Sequence, residues 1–316
     1  MKFEPKAGKG AVKVELIEGS LSLFDGKTLS VAYGEAKPLT RRKFVLAMRK
    51  IVATAKTNKV TSIALEYADL KSLTPKEFSD YETGRIAGTA FVMADYEHNT
   101  YKTKPKKGWG NVETFAITGA PQAAKEGISD GRDIATEINR TRELSNTPAG
   151  DMTPKLLLAA AKTAAKGTKV KIASLNMAQM IKMGMGGVVG VGKGAEDKPV
   201  FIIMEYWGAG KKEKPVVLVG KGVTFDTGGV QVKTGDHMYE MHMDMSGGAA
   251  VIHSVVLAAR LGIKTNVIGL IPAVENAIGP GSMRPGDILK SLSGKTIEIL
   301  HTDAEGRVIL ADAITY

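Results

Sequence analysis

The segment HTDAEGR at residues 301–307 and the segment VGKGVTFDTGG at residues 219–229 decide what this chain folds into and what it can bind. Both are short, rich in glycine and acidic, and both follow a run of β-branched and apolar residues. Runs of that kind predict buried strands. In an α/β sheet, binding groups lie at the carboxyl ends of the strands. Asp226 and Asp303 each follow a predicted strand, so we expect them to lie in a binding site.

Strand and helix patterns alternate along the rest of the chain. Apolar residues at helical spacing predict helices, and short apolar runs between turn formers predict strands. The predicted helices are Leu39–Thr57, Thr74 to about Asp95, Ala123–Ser145, a helix from Thr153, Gly247–Leu261 and a helix from Arg307. The predicted strands are Thr61–Tyr67, Val112–Thr118, Lys169–Ser174, Val200–Tyr206, Pro215–Val219, Thr265–Ile271 and Thr296–Leu300. This order predicts an α/β fold with a mainly parallel sheet covered on both faces.

A break rich in turn formers, residues 146–151, separates two predicted domains. The chain has 316 residues, which is enough for two hydrophobic cores. We therefore expect an N-terminal α/β domain over residues 1–145 and a second domain over residues 146–316, which carries both acidic segments.

Composition excludes several classes of protein. There is no cysteine, so disulfides and thiolate metal sites are ruled out. No apolar run approaches the roughly 20 residues that span a bilayer, and the N-terminus leads into no signal sequence. We expect a cytoplasmic protein with no membrane association.

Positive charge is concentrated in the N-terminal part. The net charge is +10, and residues 1–110 contribute +8 of it, with 20 Lys and Arg against 12 Asp and Glu. Such a domain can hold nucleic acid by releasing counterions, although a basic surface is more often simply solvated. The densest cluster reads as an exposed loop around Pro105 and Gly108; its lysines are Lys102, Lys104, Lys106 and Lys107.

The segment GVVGVGK at residues 187–193 has the spacing of a phosphate-binding loop. The next residue is Gly194, where such a loop needs a serine or threonine for magnesium. We therefore interpret the segment as a tight, glycine-rich connection that packs against a strand.

Four acids stand in segments that are otherwise apolar, small or glycine-rich; they are Asp226, Asp244, Asp303 and Glu305. Buried together, they would repel one another and stay protonated unless cations neutralised them. Two divalent ions about 3.5–4 Å apart, bridged by carboxylates, would meet that need. The pattern predicts a site for hard divalent cations with hydrolytic chemistry.

Basic side chains accompany these acids. Asp303, Glu305 and Arg307 alternate in sequence, so an extended segment would point all three to one side. Lys221 lies at the end of a predicted strand, where two neighbouring cations would drive its ammonium to lose a proton and ligate a metal. Lys233 could stay charged and polarise a substrate carbonyl.

Taken together, these motifs resemble the leucyl (cytosol) aminopeptidase family of two-metal exopeptidases. The resemblance rests on GKGVTFDTGG (220–229), Lys233, MHMDMSGGAA (241–250), TDAEGR (302–307) and LAD (310–312), supported by RELSNTPA (142–149) and MGGVVGVG (185–192). It covers residues from about 140 to 316. The N-terminal part matches only as a variable α/β domain.

The resemblance implies a role for each residue of the site. One metal would be held by Lys221, Asp226, Asp244 and Glu305, and the other by Asp226, Asp303 and Glu305. The implied ions are zinc or manganese, with magnesium as a further alternative. A water activated by both metals would attack the first peptide bond of a peptide substrate, whose free amine coordinates a metal.

The remaining roles concern the substrate and the proton. The resemblance implies that Lys233 stabilises the oxyanion and that Arg307 holds a bicarbonate as proton shuttle. Met241 would line the pocket for a leucine-like first side chain. His301 stands where the family usually has asparagine, and on an extended strand His242 could approach the metals, with an outer or solvent-facing position as the alternative.

Family members assemble as hexamers and continue beyond the last motif. The resemblance therefore implies a homo-hexamer for the full-length protein and a metallo-aminopeptidase catalytic domain that is incomplete at Tyr316. A second hypothesis is a catalytically inactive or moonlighting member that acts in a structural role or binds DNA through its basic N-terminal domain. The intact set of site residues favours the enzyme.

Overall fold

A computed structural model describes residues 1–34, 37–106 and 108–316. By internal contacts this part of the chain forms two compact units, Met1–Asn139 and Arg140–Tyr316. The domain boundary expected from the sequence, between residues 145 and 146, stays a prediction. Lys107 of the basic loop lies outside the described residues, and its neighbours Lys102, Lys104 and Lys106 are exposed.

The first unit is built on one sheet of six strands. Its strands are β1 (Lys2–Glu4), β2 (Val12–Ile17), β3 (Leu23–Phe24), β4 (Thr28–Ala32), β5 (Ser62–Glu66) and β6 (Thr114–Thr118). Its helices are α1 (Arg41–Thr57), α2 (Tyr67–Leu73), α3 (Asp80–Asp95) and α4 (Gln122–Asn146), the last of which continues into the second unit. The strand order is β1-β6-β5-β2-β4-β3, and every pairing is parallel except that of β3 with β4.

Periodic apolar residues determine the core of this unit. In α1 the residues Phe44, Met48 and Ile51 are fully buried at helical spacing, and they join the buried strand residues Leu29 and Ile63. Burial of apolar side chains is the main favourable term in folding. The amphipathic pattern predicted for residues 39–57 therefore corresponds to a real helix face against the sheet.

Glycines allow α3 and α4 to approach each other closely. A Cβ atom added to Gly84 or Gly88 would lie within 2.6 Å of a backbone carbonyl oxygen of α4, and one added to Gly127 or Gly131 would overlap a carbonyl oxygen of α3. Side chains at these positions would force the two helix backbones apart.

The start predicted for α3 is wrong. Thr74 follows the last residue of α2, and its amide donates to the Lys71 carbonyl oxygen. The helix begins at Asp80, where Ser79 and Glu82 form a capping box in which each side chain bonds the other's backbone N–H. A reciprocal cap satisfies two otherwise unpaired amides, whereas the Thr74 amide is already bonded at the end of α2.

The second unit contains a five-stranded sheet and a separate two-stranded ribbon. Its strands are β7 (Lys171–Asn176), β8 (Val200–Trp207), β9 (Val216–Val219), β10 (Gly222–Asp226), β11 (Asn266–Asn276), β12 (Ile288–Lys290) and β13 (Thr296–Glu298). Its helices are α5 (Pro154–Ala165), α6 (Met177–Met183), α7 (Gly186–Gly192), α8 (Ser246–Arg260) and α9 (Glu305–Thr315). Short 3-10 helices lie at Ala149–Asp151, Gly235–Met238, Met241–Met243 and Thr302–Ala304.

One long strand organises this sheet. β9 and β10 follow one another along the same edge of β11, both parallel to it, and the Gly220 amide donates to the Leu270 carbonyl oxygen between them. β8 runs antiparallel to β11 and to β7, so four of the five strands share one direction. The expected α/β fold with a mainly parallel sheet is confirmed.

The glycine-rich segment interpreted as a tight connection is a helix, α7. It packs on α9 so closely that a Cβ atom on Gly187 would lie 2.6 Å from the Val308 carbonyl oxygen. The fully buried Asp312 of α9 accepts a hydrogen bond from Val188 N at 2.9 Å and another from Leu292 N at 2.7 Å. These bonds hold α7 and the β12 connection to the helix that begins with Glu305.

Among the described residues, no helix is both long enough and apolar enough to cross a membrane.

Candidate metal centre

The site begins where β10 ends, at Asp226. Asp226 pairs with Asn276 at the end of β11, after an irregularity in the register of the two strands. The chain then turns through Gly228 and Gly229, at φ of 86° and 71°, a region that side chains rarely adopt. The Gly228 amide donates to Asp226 Oδ1 at 2.9 Å, so the turn fixes one oxygen of this buried carboxylate.

Lys221 occupies the break between β9 and β10. Its Nζ lies 2.7 Å from Asp244 Oδ2 and 2.7 Å from Glu305 Oε1. Asp244 directly follows the 3-10 helix Met241–Met243, and Glu305 is the first residue of α9. Gly306 leaves room for the lysine, because a Cβ atom there would lie 2.9 Å from Lys221 Nζ.

Three acids thereby converge from three separate segments. One carboxylate oxygen each of Asp226, Asp244 and Glu305 lies within 4.8 Å of the others. Asp226 and Glu305 are almost completely buried, and Asp244 is about one-fifth exposed. Carboxylates that are buried this close together destabilise one another unless cations intervene.

Asp303 is connected to this group through Lys233. The Lys233 ammonium lies 2.9 Å from Asp226 Oδ2 and also contacts Asp303 Oδ1. The side chain of Asp303 is therefore held beside the triad of acids and is not one of its three members. The five predicted metal ligands thus lie in two ion-paired groups, one around Lys221 and one around Lys233, and the proximity of Asp226 to Asp244 and Glu305 brings the two groups together.

The expectation of an extended segment from Asp303 to Arg307 is wrong. Thr302–Ala304 is a 3-10 helix and α9 begins at Glu305, so the segment is helical. Glu305 is buried against Lys221 while Arg307 is exposed. Arg307 instead lines an open cavity of about 600 Å³ that also includes Asp303 and His301.

Burial and ion pairing act in opposite directions on the pKa values of the two lysines. Burial lowers the pKa of Lys221, but the carboxylates of Asp244 and Glu305 outweigh it and leave the pKa above its usual value. Lys233 behaves in the same way with Asp303 and Asp226. The neighbouring carboxylates therefore favour the ammonium form of both lysines.

The pKa values of Asp244 and Asp226 shift in opposite directions. Burial raises the pKa of Asp244 to about 6, against the opposing effect of Lys221. Burial also acts on Asp226, but the Lys233 ammonium, the Gly228 amide and the Asn276 amide outweigh it, so its pKa lies below the usual range.

The donor set fits divalent cations. Four carboxylates face two ammonium groups, which leaves negative charge in excess within a largely buried cluster. Glu305 Oε2 is buried and, among the described residues, finds no hydrogen-bond partner. A buried carboxylate oxygen without a donor is costly, and oxygen ligands of this kind suit Mg²⁺, Mn²⁺ and Zn²⁺.

The segments on which the other predicted residues lie are also described. Met241 and His242 are partly buried in the 3-10 helix before Asp244, so His242 is not on the extended strand considered from the sequence. The exposed His301 accepts a hydrogen bond from the Asp303 amide at its Nδ1.

Sequence reasoning missed three polar residues that connect the end of β10 and the loop after it to the segment that carries Asp303. Asn276 donates to Asp226 Oδ1 and to the Thr302 carbonyl oxygen. The Gln231 side chain accepts from Thr302 N at 2.8 Å, and Thr302 Oγ1 donates to the Gly228 carbonyl oxygen at 2.5 Å. Their long sequence separations leave no local signal, although Thr302 and Asn276 follow predicted strands.

Comparison with known proteins relates this chain to a family of peptidases. Residues 139–316 match the model of the cytosol aminopeptidase family, catalytic domain. A probable cytosol aminopeptidase of Paraburkholderia xenovorans is 38% identical over 314 residues, which is 98% of this chain and 58% of that protein. One from Azoarcus sp. is 35% identical over 92% of this chain and 58% of its own length. The chain thus spans somewhat more than half the length of these relatives.

Solved structures show the same architecture. The cytosol aminopeptidase of Coxiella burnetii matches with a TM-score of 0.77 and 26% identity, over 99% of this chain and 69% of that one. The bottromycin maturation enzyme BotP, solved in complex with Mn, matches with a TM-score of 0.81 and 27% identity, over 96% of this chain and 67% of that one. On the match of more than half its residues to the catalytic-domain model, this chain belongs to the cytosol aminopeptidase family.

Proposed function

We propose that this chain is the catalytic part of a metal-dependent aminopeptidase, which removes the first residue from peptides with a free N-terminus. The observation that carries the proposal is the convergence of Asp226, Asp244 and Glu305 around Lys221 in a chain of this family. The excess of buried carboxylate and the unpartnered oxygen of Glu305 support metal binding.

The residues proposed as metal ligands are those predicted from the sequence. Lys221, Asp226, Asp244 and Glu305 would hold one ion, and Asp226, Asp303 and Glu305 the other. Zinc, manganese and magnesium suit these ligands, and the Mn-bound relative supports manganese as the first ion to test. When bound, such ions supply Lewis-acid polarisation of a peptide carbonyl and lower the pKa of an attacking water.

Lys233 is proposed to stabilise the oxyanion. Its ammonium charge survives partial burial, because the acids beside it raise its pKa. It is paired with Asp226 and Asp303. Cations that took over these carboxylates would leave the ammonium with donors to spare for a negatively charged substrate oxygen.

Arg307 and Met241 are proposed to act on the proton and on the substrate side chain. Arg307 is exposed beside Asp303 in an open cavity, where a bicarbonate could be held as a proton carrier. Met241 would contact a leucine-like first side chain through its adaptable thioether. For the whole protein we propose a cytoplasmic homo-hexamer.

The test is hydrolysis of leucine p-nitroanilide by this chain. After removal of metals with a chelator, activity should be absent, and it should return when Mn²⁺ or Zn²⁺ is added. N-acetyl-leucine p-nitroanilide is the matched substrate control, because it lacks the free amine and should not be cleaved. Asp226→Asn should remain inactive under all conditions.

The result that contradicts the proposal is a folded chain that gains no activity with any of the three metals. Retention on DNA that is lost at high salt, without hydrolysis, would favour the binding role considered from the basic N-terminal part.

A further inference from the structure

Asn276 lies between the loop that follows β10 and the segment that leads into Asp303. It is the last residue of β11, 1% exposed, and directly opposite Asp226 in the sheet. Its side chain contacts neither Lys221 nor Lys233 in any described hydrogen bond. Its partners come instead from the two loops that carry the acids.

The Asn276 amide connects these loops. Nδ2 donates to Asp226 Oδ1 at 2.7 Å and to the Thr302 carbonyl oxygen at 3.1 Å. Its backbone oxygen accepts from Thr227 N at 3.0 Å and from Thr227 Oγ1 at 2.8 Å. One residue thereby holds the loop after β10 and the segment that leads into Asp303.

These bonds determine which oxygen of Asp226 is available. Oδ1 accepts from Gly228 N and from Asn276 Nδ2, whereas Oδ2 pairs with the Lys233 ammonium at 2.9 Å. A carboxylate fixed by two neutral donors on one oxygen cannot rotate freely, so the other oxygen keeps its direction. Such outer bonds orient the ligands of metal sites and tune their affinity.

Gly229 lies against both Asn276 and Thr302. A Cβ atom on Gly229 would lie 3.1 Å from Asn276 Oδ1 and 2.9 Å from Thr302 Cβ. The glycine thus lets the two loops meet over the asparagine, and its φ of 71° suits glycine.

We propose that Asn276 is a positioning residue of the metal centre, which sets the orientation of Asp226 relative to the segment of Asp303 and Glu305. This inference rests on the proposed function, since it assumes that these acids bind metal. Asn276 touches neither the metals nor the substrate in this role, and it acts through Asp226 and Thr302.

The chain offers a matched control at the other end of the same strand. Asn266 begins β11, is also 1% exposed, and makes three comparable bonds, from Ala209 N and to the carbonyl oxygens of Gly210 and Glu213. Its removal should weaken the fold as the removal of Asn276 does, without contact with any of the acids.

The experiment compares Mn²⁺ affinity by isothermal titration calorimetry for the parent chain, Asn276→Ala and Asn266→Ala. Loss of an outer bond of this kind reduces metal affinity about 10–100-fold, so we expect at least a tenfold weaker Kd for Asn276→Ala. Asn266→Ala should bind within twofold of the parent. Asn276→Leu, which keeps the branching and the number of heavy atoms of the side chain but has no hydrogen-bond donor, serves if the alanine variant does not fold.

The outcomes separate this inference from the proposed function. A parent chain that binds Mn²⁺ but cleaves no peptide overturns the function, while a tenfold loss in Asn276→Ala still supports the positioning role. Equal Mn²⁺ affinity of Asn276→Ala and the parent, or an equal loss in Asn266→Ala, overturns the inference alone. A folded parent chain that binds no Mn²⁺ overturns both.

Discussion

Asp312 gives the sharpest test of how the metal centre is supported. It is fully buried in α9, the helix that begins with Glu305, and its two oxygens each accept one backbone N–H, from Val188 and Leu292. We consider Asp312→Asn, which keeps the size and shape of the side chain. The amide retains one acceptor oxygen and presents a donor to the other N–H.

The expected cost follows from these two bonds. A hydrogen bond to a charged group contributes about 1.5–3 kcal/mol, and a buried donor without a partner costs about 1–3 kcal/mol. Since one bond survives, we expect Asp312→Asn to lower the free energy of unfolding of the second unit by about 3 kcal/mol. For a unit of this size, that corresponds to a decrease in Tm of about 6–12 °C.

The assay is urea unfolding followed by tryptophan fluorescence. The chain has two tryptophans, and Trp207 lies in β8, so a Trp109→Phe background reports on the second unit alone. The matched control is Asp287→Asn, because Asp287 also accepts a backbone N–H, from Arg284, but is about one-fifth exposed. This control should cost less than about 1 kcal/mol, as surface hydrogen bonds contribute little.

The refuting result is a small effect with an unchanged denaturant slope. Suppose the free energy of unfolding of Asp312→Asn lies within about 0.5 kcal/mol of its parent's and is lowered no more than that of the Asp287→Asn control. Asp312 then does not hold α7 and the β12 connection to α9 as its contacts indicate.

Three further predictions concern glycines and metal. Gly187→Ala should cost about 1–3 kcal/mol in urea unfolding, since its Cβ would overlap a backbone oxygen of α9, whereas Gly150→Ala, with open space around it, should be nearly neutral; equal costs would contradict this packing. In Gly306→Ala the atoms nearest the new Cβ belong to the flexible end of Lys221, so stability should change by less than about 1 kcal/mol while Mn²⁺ affinity, measured by calorimetry, falls about tenfold; unchanged affinity would contradict the site. Mn²⁺ at 100 times its Kd should stabilise the chelator-treated protein by about 2.7 kcal/mol in thermal unfolding, and a similar gain in Asp226→Asn would show binding elsewhere.

Strands and helices were predictable wherever apolar periodicity was unambiguous. The strand predicted at Val200–Tyr206 is observed as Val200–Trp207, and the helix predicted at Gly247–Leu261 as Ser246–Arg260. Cap signals were less decisive, because Thr74 and Ser79 both precede helix-forming sequence. Both residues also have a glutamate three residues later, Glu77 and Glu82, but only Ser79 and Glu82 form the reciprocal cap, at the residue before α3 begins.

The residues of the site were predictable from charge, and their local geometry was not. Four acids in apolar, glycine-rich segments indicated a cation site, and three of them converge within 4.8 Å. The alternating acids suggested an extended segment, yet α9 begins at Glu305, and Gly306 leaves room for Lys221 against this helix. That contact joins positions far apart in sequence, so no local pattern reports it.

The residues around the acids were beyond prediction for the same reason. Asn276 and Gln231 carry no motif of their own, and asparagine after a strand is typical of a turn. Their role is visible only when Asp226 and Thr302 are brought beside them by the sheet.

The most direct test of the metal centre is anomalous X-ray diffraction from crystals of this chain soaked in Mn²⁺. We predict two anomalous peaks, one among Lys221, Asp226, Asp244 and Glu305 and one among Asp226, Asp303 and Glu305. No peak at these residues, or peaks only at other positions on the chain, would contradict the account.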